Sequence, residues 1–120
     1  MDKICKTYGI SMKKIIDKIG NIFYYNENNE LHREDGPAVE YASGNKYWFK
    51  NGKRHRKDGP AIESTNGAKY WFKNGKRHRE DGPAIEYVEG DKEYWYNYIE
   101  YPEIKTDEEW IRFIKLMVFQ

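Results

Sequence analysis

Residues 47–69 read YWFKNGKRHRKDGPAIESTNGAK, and residues 70–92 repeat this stretch as YWFKNGKRHREDGPAIEYVEGDK. A third copy of its centre, HREDGPAVEY, begins at His32, so the centres at His32, His55 and His78 are 23 residues apart. Self-similarity at a fixed period of this length is typical of repeat proteins, in which each unit packs on its neighbours. The sequence therefore predicts a domain built from copies of one unit.

Each unit predicts a β-hairpin. Asn51-Gly52 and Asn74-Gly75 are strong hairpin signals, because both central residues of a type I′ turn need positive φ. In the K-Y-W-F-K strand before the turn, alternation places Tyr47 and Phe49 on one face and Trp48 on the other. A further turn is predicted at the glycine near the end of each unit, Gly44, Gly67 or Gly90. The predicted fold class is mainly β, an antiparallel β-hairpin repeat sheet.

The ends of the chain differ from the repeats. A degenerate copy occupies residues 24–32, and a broken copy, displaced by one inserted residue, begins at residue 94. Apolar spacing predicts a helix over residues 11–19, with Ser11 as N-cap and Gly20 as terminator. Thr106 and Glu109 form a capping box before a second apolar stripe, made by Trp110, Phe113, Ile114 and Met117. We expect one domain, with an N-terminal helical cap (1–21), hairpin repeats (22–101) and a C-terminal capping helix (102–120).

Composition limits the classes of function. The chain has 120 residues, with 21 Lys and Arg against 20 Asp and Glu, so the net charge of +1 implies no polyanionic partner by itself. Cys5 is the only cysteine, which excludes an intramolecular disulfide and favours a cytoplasmic location, that of the host cell for a viral or phage protein. No apolar stretch is long enough for a transmembrane segment. The first residues lack the apolar core of a signal peptide.

The 23-residue period, the Y-x-F-K-N-G-K-R-H core at residues 47–55 and the glycine ahead of each unit resemble MORN repeats. The resemblance covers residues 24–96 and implies stacked hairpins in an elongated, twisted sheet. It also implies a non-enzymatic module that binds proteins or membrane surfaces, or that builds elongated assemblies. The chain departs from the usual H-G-x-G continuation, because His55 is followed by Arg-Lys-Asp-Gly-Pro-Ala, and its first strand is two residues shorter. This variant resembles reading frames from bacteria, phages and giant viruses.

The repeated His, Asp and Glu residues resemble catalytic or metal-binding chemistry. Equivalent histidines in units two strands apart should lie about 10 Å from each other. They therefore cannot share one metal ion, whose ligand atoms lie about 2 Å away. An acid–base centre is normally a single constellation, whereas this motif recurs in every copy. We expect neither catalytic residues nor a metal or cofactor, and we expect the Arg and His side chains to bond neighbouring units.

The basic segments at residues 53–56 and 76–79 would form a row of positive charge in a stacked array. This row either binds an anion or is neutralised within the protein. Cations with interleaved tryptophans can bind nucleic acid or another anionic surface. The other interpretation is that nearby carboxylates neutralise the row through ion pairs between repeats, and the near-zero net charge favours it. The candidate anion-binding residues are Lys53, Arg54, Arg56, Lys76, Arg77 and Arg79. The candidate neutralising residues are Glu34, Asp35, Asp58, Glu80 and Asp81.

The aromatic residues and the breaks in the repeat predict a partner surface. Tryptophans on one strand face would form a row, and positions that depart from the repeat are free to suit a partner. The candidate partner-binding residues are Trp48, Lys57, Trp71, Trp95, Tyr98 and Tyr101. The predicted function is a non-enzymatic module that binds a protein partner, in its narrower form a phage or mobile-element inhibitor of a host defence complex, like an anti-CRISPR. The alternative is a nucleic-acid or anionic-surface binder, and edge strands would also permit a homodimer.

Overall fold

The computed structural model describes residues 3–8 and 12–118, which form an elongated, flat molecule of 52 × 32 × 18 Å. Its elements in chain order are β1 (Lys3–Tyr8), β2 (Met12–Asp17), β3 (Ile22–Tyr25), β4 (Val39–Glu40), β5 (Lys46–Tyr47), β6 (Phe49–Lys50), β7 (Lys53–Arg54), β8 (Ile62–Glu63), β9 (Lys69–Tyr70), β10 (Phe72–Lys73), β11 (Lys76–Arg77), β12 (Ile85–Glu86), β13 (Lys92–Glu93), β14 (Trp95–Tyr96), β15 (Ile99–Glu100) and α1 (Asp107–Val118). The predicted class, mainly β with antiparallel hairpins, is confirmed.

The strands form one main sheet and three small hairpins. The main sheet has nine strands in the order β1-β2-β3-β4-β5-β8-β9-β12-β13, and every neighbouring pair is antiparallel. The hairpins β6–β7, β10–β11 and β14–β15 are separate two-stranded sheets. Asn51 and Gly52, with φ of 49° and 81°, have the positive values predicted for their turn. The K-Y-W-F-K segment is not one strand, because it leaves the main sheet at Trp48 and enters a hairpin at Phe49.

The Ala of each Asp-Gly-Pro-Ala segment holds the main sheet and the hairpins together. Ala38, Ala61 and Ala84 are all 0% exposed. The carbonyl of Ala61 accepts a hydrogen bond of 2.7 Å from the backbone N–H of Trp48, the residue at which the chain leaves the main sheet. A larger side chain would meet an already close-packed interior. The following residues Val39, Ile62 and Ile85 are also buried and extend this core along the array.

The predicted N-terminal helix is wrong. Residues 12–17 form β2, which pairs with β1 and with β3. The run of isoleucines suits a sheet as well as a helical stripe, and pairing with β3 favours the sheet. Gly20 ends no helix, because the residues before it form a strand. It lies in a turn with a φ of 97° and donates its N–H to the Asp17 carbonyl, as Gly44 does to that of Tyr41. The expected N-cap, Ser11, lies outside the described residues.

The predicted C-terminal helix is confirmed as α1. The Thr106 Oγ1 accepts from the Glu109 backbone N–H at 3.1 Å, and a Glu109 carboxylate oxygen accepts from the Thr106 N–H at 3.0 Å. These are the two reciprocal bonds of a capping box. The amide groups of Lys105 and Thr106 lower the pKa of Glu109 below its usual value. Within residues 3–8 and 12–118, no helix is long and apolar enough to cross a membrane.

Candidate functional site

Three arginines lie over aromatic rings and are surrounded by carboxylates of their own unit. The Arg56 guanidinium carbon is 3.9 Å from the centre of the Trp48 ring. Its Nη1 donates to Glu63 at 2.8 Å and to the carbonyl of Pro60 at 3.1 Å, and its Nε donates to Asp58 at 3.3 Å. Equivalent contacts join Arg33 to Tyr24, Pro37, Glu40 and Asp35, and Arg79 to Trp71, Pro83, Glu86 and Asp81.

These ion pairs lie within units, so the prediction of pairing between repeats is wrong. Asp35, Asp58 and Asp81 each pair with the arginine two residues earlier. A second carboxylate, from Glu40, Glu63 or Glu86, was not anticipated, although it follows its arginine by seven residues in every copy. The candidate anion-binding residues Arg56 and Arg79 therefore each contact two carboxylates already.

The histidines bond neighbouring units, as expected. The Nδ1 atoms of His32, His55 and His78 accept the backbone N–H of Asn51, Asn74 and Asn97, at 2.9, 3.0 and 3.0 Å. Because an amide N–H can only donate, Nδ1 carries no proton and the ring proton lies on Nε2. This Nε2–H faces Glu34 at 2.8 Å in His32 and Glu80 at 3.1 Å in His78.

His55 differs from the other two histidines. Lys57 stands where Glu34 and Glu80 stand in the other units. Among the described residues, the Nε2 of His55 has no hydrogen-bond or ion-pair partner. Its ring is half-buried, whereas His32 and His78 are 8% and 7% exposed. Partial burial and the ammonium groups of Lys50 and Lys73 lower the pKa of His55, and Glu34 opposes them in part.

The stability of the protein should therefore fall as the pH drops below about 6.5. The folded state lowers the pKa of His55, so the unfolded chain binds this proton more readily. The contribution of neutral His55 is fully present above the unfolded pKa, and it is lost as the pH falls below that value and through the lower pKa of the folded state. Urea unfolding at about pH 7.5 and 5.5 should show a smaller loss in His55→Gln than in the wild type. If the wild type and His55→Gln lost the same free energy of unfolding between these pH values, His55 would not cause the pH dependence. Both proteins keep His32 and His78, so the comparison isolates His55.

The hairpins β6–β7 and β10–β11 carry cations without acidic partners. Lys50 lies directly opposite Lys53, and Lys73 directly opposite Lys76. Like charges in such positions repel each other. No carboxylate of the described residues lies within ion-pair distance of these four ammonium groups. Arg54 and Arg77 lie over rings of the following hairpin, at 5.5 Å from the centre of Phe72 and 4.9 Å from that of Trp95.

The last hairpin, β14–β15, carries Trp95, Tyr96, Ile99 and Glu100, and so has no cation. Trp95 pairs with Glu100 as Phe72 pairs with Arg77, so the fourth copy has no inserted residue, contrary to the prediction. Tyr94, not Trp95, then continues the row of Trp48 and Trp71. Tyr98 takes the place of Gly75, with a φ of 74°. Its side chain is 63% exposed, and that of Ile99 is 57% exposed.

Two grooves lie between successive Asp-Gly-Pro loops. One, of about 910 Å³, is lined by Trp48 and Lys50, and the other, of about 680 Å³, by Trp71 and Lys73. His55 and Lys57 line both grooves. Lys57 is therefore at the centre of this side of the array, flanked by a half-buried tryptophan in each groove.

The candidate partner-binding residues fall in three places. Trp48, Lys57 and Trp71 line the grooves, and Trp95 and Tyr98 contact each other on the last hairpin, with ring centres 6.1 Å apart. Tyr101 is half-buried beneath α1, where its ring packs against Trp110 and Phe113.

Within the described residues, no group of three or more His, Cys, Asp or Glu is placed so that it could hold a metal ion. The residues that resembled an active site serve mainly to join strands and units. Comparison with known proteins adds no assignment, because no family model, curated protein or solved structure matches the chain.

Proposed function

We propose that the protein is a non-enzymatic module that binds a protein partner through its terminal surface. This surface consists of the exposed apolar residues of β14–β15 and of the end of α1: Tyr98, Ile99, Leu116 and Met117. Tyr101, the residue that follows β15, links this hairpin to the end of α1, because its hydroxyl lies 3.9 Å from the Met117 sulfur. The proposal rests mainly on Tyr98, an exposed aromatic residue in a backbone conformation that favours glycine.

The backbone of Tyr98 costs stability that its side chain does not recover in the fold. A side chain other than Gly, Asn or Asp in the left-handed region costs about 1–2 kcal/mol. The equivalent positions of the preceding hairpins carry Gly52 and Gly75. Tyr98 gains a contact with Trp95 but leaves most of its ring in water. Strain of this kind clusters at functional sites, and an exposed tyrosine is a common anchor of protein interfaces.

The histidines and the stacked arginines make structural hydrogen bonds and ion pairs, which supports a non-enzymatic function. Each histidine uses Nδ1 to hold the turn of the next unit, and each of the stacked arginines is held by two carboxylates. These groups are committed to structural bonds and do not converge on one substrate position. The narrower prediction, an inhibitor of a host defence complex, depends on the identity of the partner.

The alternative, a nucleic-acid or anionic-surface binder, is favoured by one observation. The four lysines of β6–β7 and β10–β11 have no acidic partner among the described residues, so an anion could approach them without displacing an ion pair. Binding of this kind weakens steeply with salt, because it releases counterions. An interface anchored by aromatic residues depends much less on salt.

Tyr98→Gly should stabilise the protein and weaken partner binding. Relief of backbone strain should raise the free energy of unfolding by about 1 kcal/mol, measured by urea denaturation. Loss of the aromatic anchor should weaken partner affinity about tenfold or more. The wild type and the variant would be immobilised side by side, exposed to cell lysate at about 0.5 M salt, where phosphate contacts are weak, and the retained proteins identified and remeasured in pure form.

The matched control is Lys46→Ala, an exposed change on β5, away from the terminal surface. It should retain the same partner as the wild type. A partner held equally by wild type and Tyr98→Gly would overturn the proposed surface. Retention of nucleic acid alone, lost at higher salt, would favour the alternative function.

A further inference from the structure

The repeat itself shows which chemical group suits the Nε2–H of its histidines. In the first and third units this donor faces the carboxylate of Glu34 or Glu80, at 2.8 and 3.1 Å. In the second unit the histidine makes the same contact with the next turn, since His55 Nδ1 accepts the Asn74 N–H at 3.0 Å. The chain supplies Lys57 at the position of the glutamate. The donor of His55 thus keeps its orientation without a carboxylate from its own unit.

We propose that the position beside His55 and Lys57 binds a carboxylate from an acidic segment of a protein partner. The incoming group would accept the Nε2–H of His55, as Glu34 and Glu80 accept it from His32 and His78. Lys57 would supply the opposite charge. This site is separate from the terminal surface, and the inference stands on the repeat geometry and not on Tyr98.

The charges around this position favour an anion. The ammonium groups of Lys50 and Lys73 act on His55 from the two flanking hairpins, and Lys57 lines both grooves beside it. None of these three lysines has an ion-pair partner among the described residues. A carboxylate placed there would therefore be attracted by three cations without breaking an existing pair.

The acidic residues of the same grooves are already engaged. Asp58 pairs with Arg56 at 3.3 Å, and Glu34 pairs with His32 at 2.8 Å. In the other groove Glu80 and Asp81 pair with His78 and Arg79. The charges of Asp58 and Asp81 are thus partly offset by their arginines, and Glu34 and Glu80 are held by neutral imidazole N–H donors. The positive charges of Lys50, Lys57 and Lys73 have no such partner among the described residues. The lysines beside His55 therefore favour an anion, although the net charge of the whole chain is only +1.

A carboxylate is favoured over a phosphate by the two internal examples. Glu34 and Glu80 show that a carboxylate reaches this donor without disturbing the bond between histidine and the next turn. The grooves on either side, about 910 and 680 Å³, leave room for a peptide segment. The aromatic rings of Trp48 and Trp71 would lie beside such a segment.

Nitrogen-detected or long-range proton–nitrogen NMR of the histidine rings would test this site in the full chain. The probe is a blocked hexaglutamate peptide, added at constant ionic strength. The ring signals of His55 should move, while those of His32 and His78, whose donors are occupied, should stay. Lys57→Glu recreates the sequence of the other units, so its own carboxylate should occupy the position. The peptide affinity at His55 should then fall at least about tenfold.

Three results would overturn the proposal. One is an equal shift of all three histidines, which would show nonspecific attraction. Another is unchanged peptide binding by Lys57→Glu, with amide spectra showing the folded state. The third is an equal response to inorganic phosphate at matched charge, which would show that the site does not select a carboxylate. Tyr98→Gly should bind the peptide as the wild type does, so failure at the terminal surface and failure at this site can be distinguished.

Discussion

Replacing Trp110 with alanine is expected to lower the free energy of unfolding by about 3–5 kcal/mol. Trp110 is 0% exposed, and its ring centre lies 5.5 Å from that of Tyr94. Its indole N–H donates to the carbonyl of Arg79 at 3.0 Å. Truncation would remove this packing, leave a cavity and free the carbonyl. Urea denaturation followed by circular dichroism and by tyrosine fluorescence would measure the loss.

The neighbouring residue provides a control on the same helix. Ile111 is exposed, so Ile111→Ala should change stability by only about 0.5 kcal/mol. Trp110→Phe keeps an aromatic ring but loses the N–H, and its effect should be intermediate. If Trp110→Ala cost no more than Ile111→Ala, α1 would not be part of the cooperative fold.

We expect a large effect of Trp110→Ala because α1 takes the place of an arginine that is present in the other units. Tyr94 is the fourth-unit equivalent of Tyr24, Trp48 and Trp71. In those first three units an arginine guanidinium covers the ring from about 4 Å away. The fourth unit has no such arginine, and Trp110 covers Tyr94 instead. Asp107 of α1 accepts the hydroxyl of Tyr94 at 2.7 Å. Burial and this bond raise the pKa of the Tyr94 phenol above its usual range.

The sequence predicted the turns well because each turn depends on a few local residues. The Asn-Gly turns and the positive φ of Gly44, Gly67 and Gly90 follow from steric limits on backbone dihedrals. The capping box of α1 is likewise local. Gly20-Asn21 carried the same signal as Gly44-Asn45: the two asparagine side chains accept the backbone N–H of Ala42 and Thr65, both at 2.8 Å. Aligning Gly20-Asn21 with Gly44-Asn45 would have indicated that the residues before Gly20 form a strand, as those before Gly44 do.

The site was less predictable because it depends on where strands change partners. The chain leaves the main sheet at Trp48, between Tyr47 and Phe49. The alternation of side chains along this segment therefore does not predict which sheet face each of them occupies. Aligning aromatic letters placed Trp95 with Trp48, whereas counting from Gly67 and Gly90 gives the observed register. The arginine–carboxylate contacts span seven residues and a bend, which no strand or helix period predicts. The resemblance to MORN repeats stays a prediction, since no family model matches.

Arg56→Ala should lower the free energy of unfolding by about 2–3 kcal/mol. The Arg56 side chain is only 22% exposed, and its guanidinium combines three roles: it covers Trp48, pairs with Glu63 and donates to the carbonyl of Pro60. Arg56→Lys should recover less than half of the loss, because one ammonium cannot stack on the ring and make a forked set of bonds at the same time. Thermal and urea denaturation of both variants would measure these differences.

Lys57→Ala is the matched control, because it removes a neighbouring cation that has no ion-pair partner among the described residues. It should change stability by only about 0.5 kcal/mol. High salt should weaken the effect of Arg56→Ala only slightly, since exposed Asp58 is readily screened but the stacking on Trp48 is not. If Arg56→Ala and Lys57→Ala had equal effects, the repeated arginine would be a surface charge, and the units would be held by their backbone bonds and histidines alone.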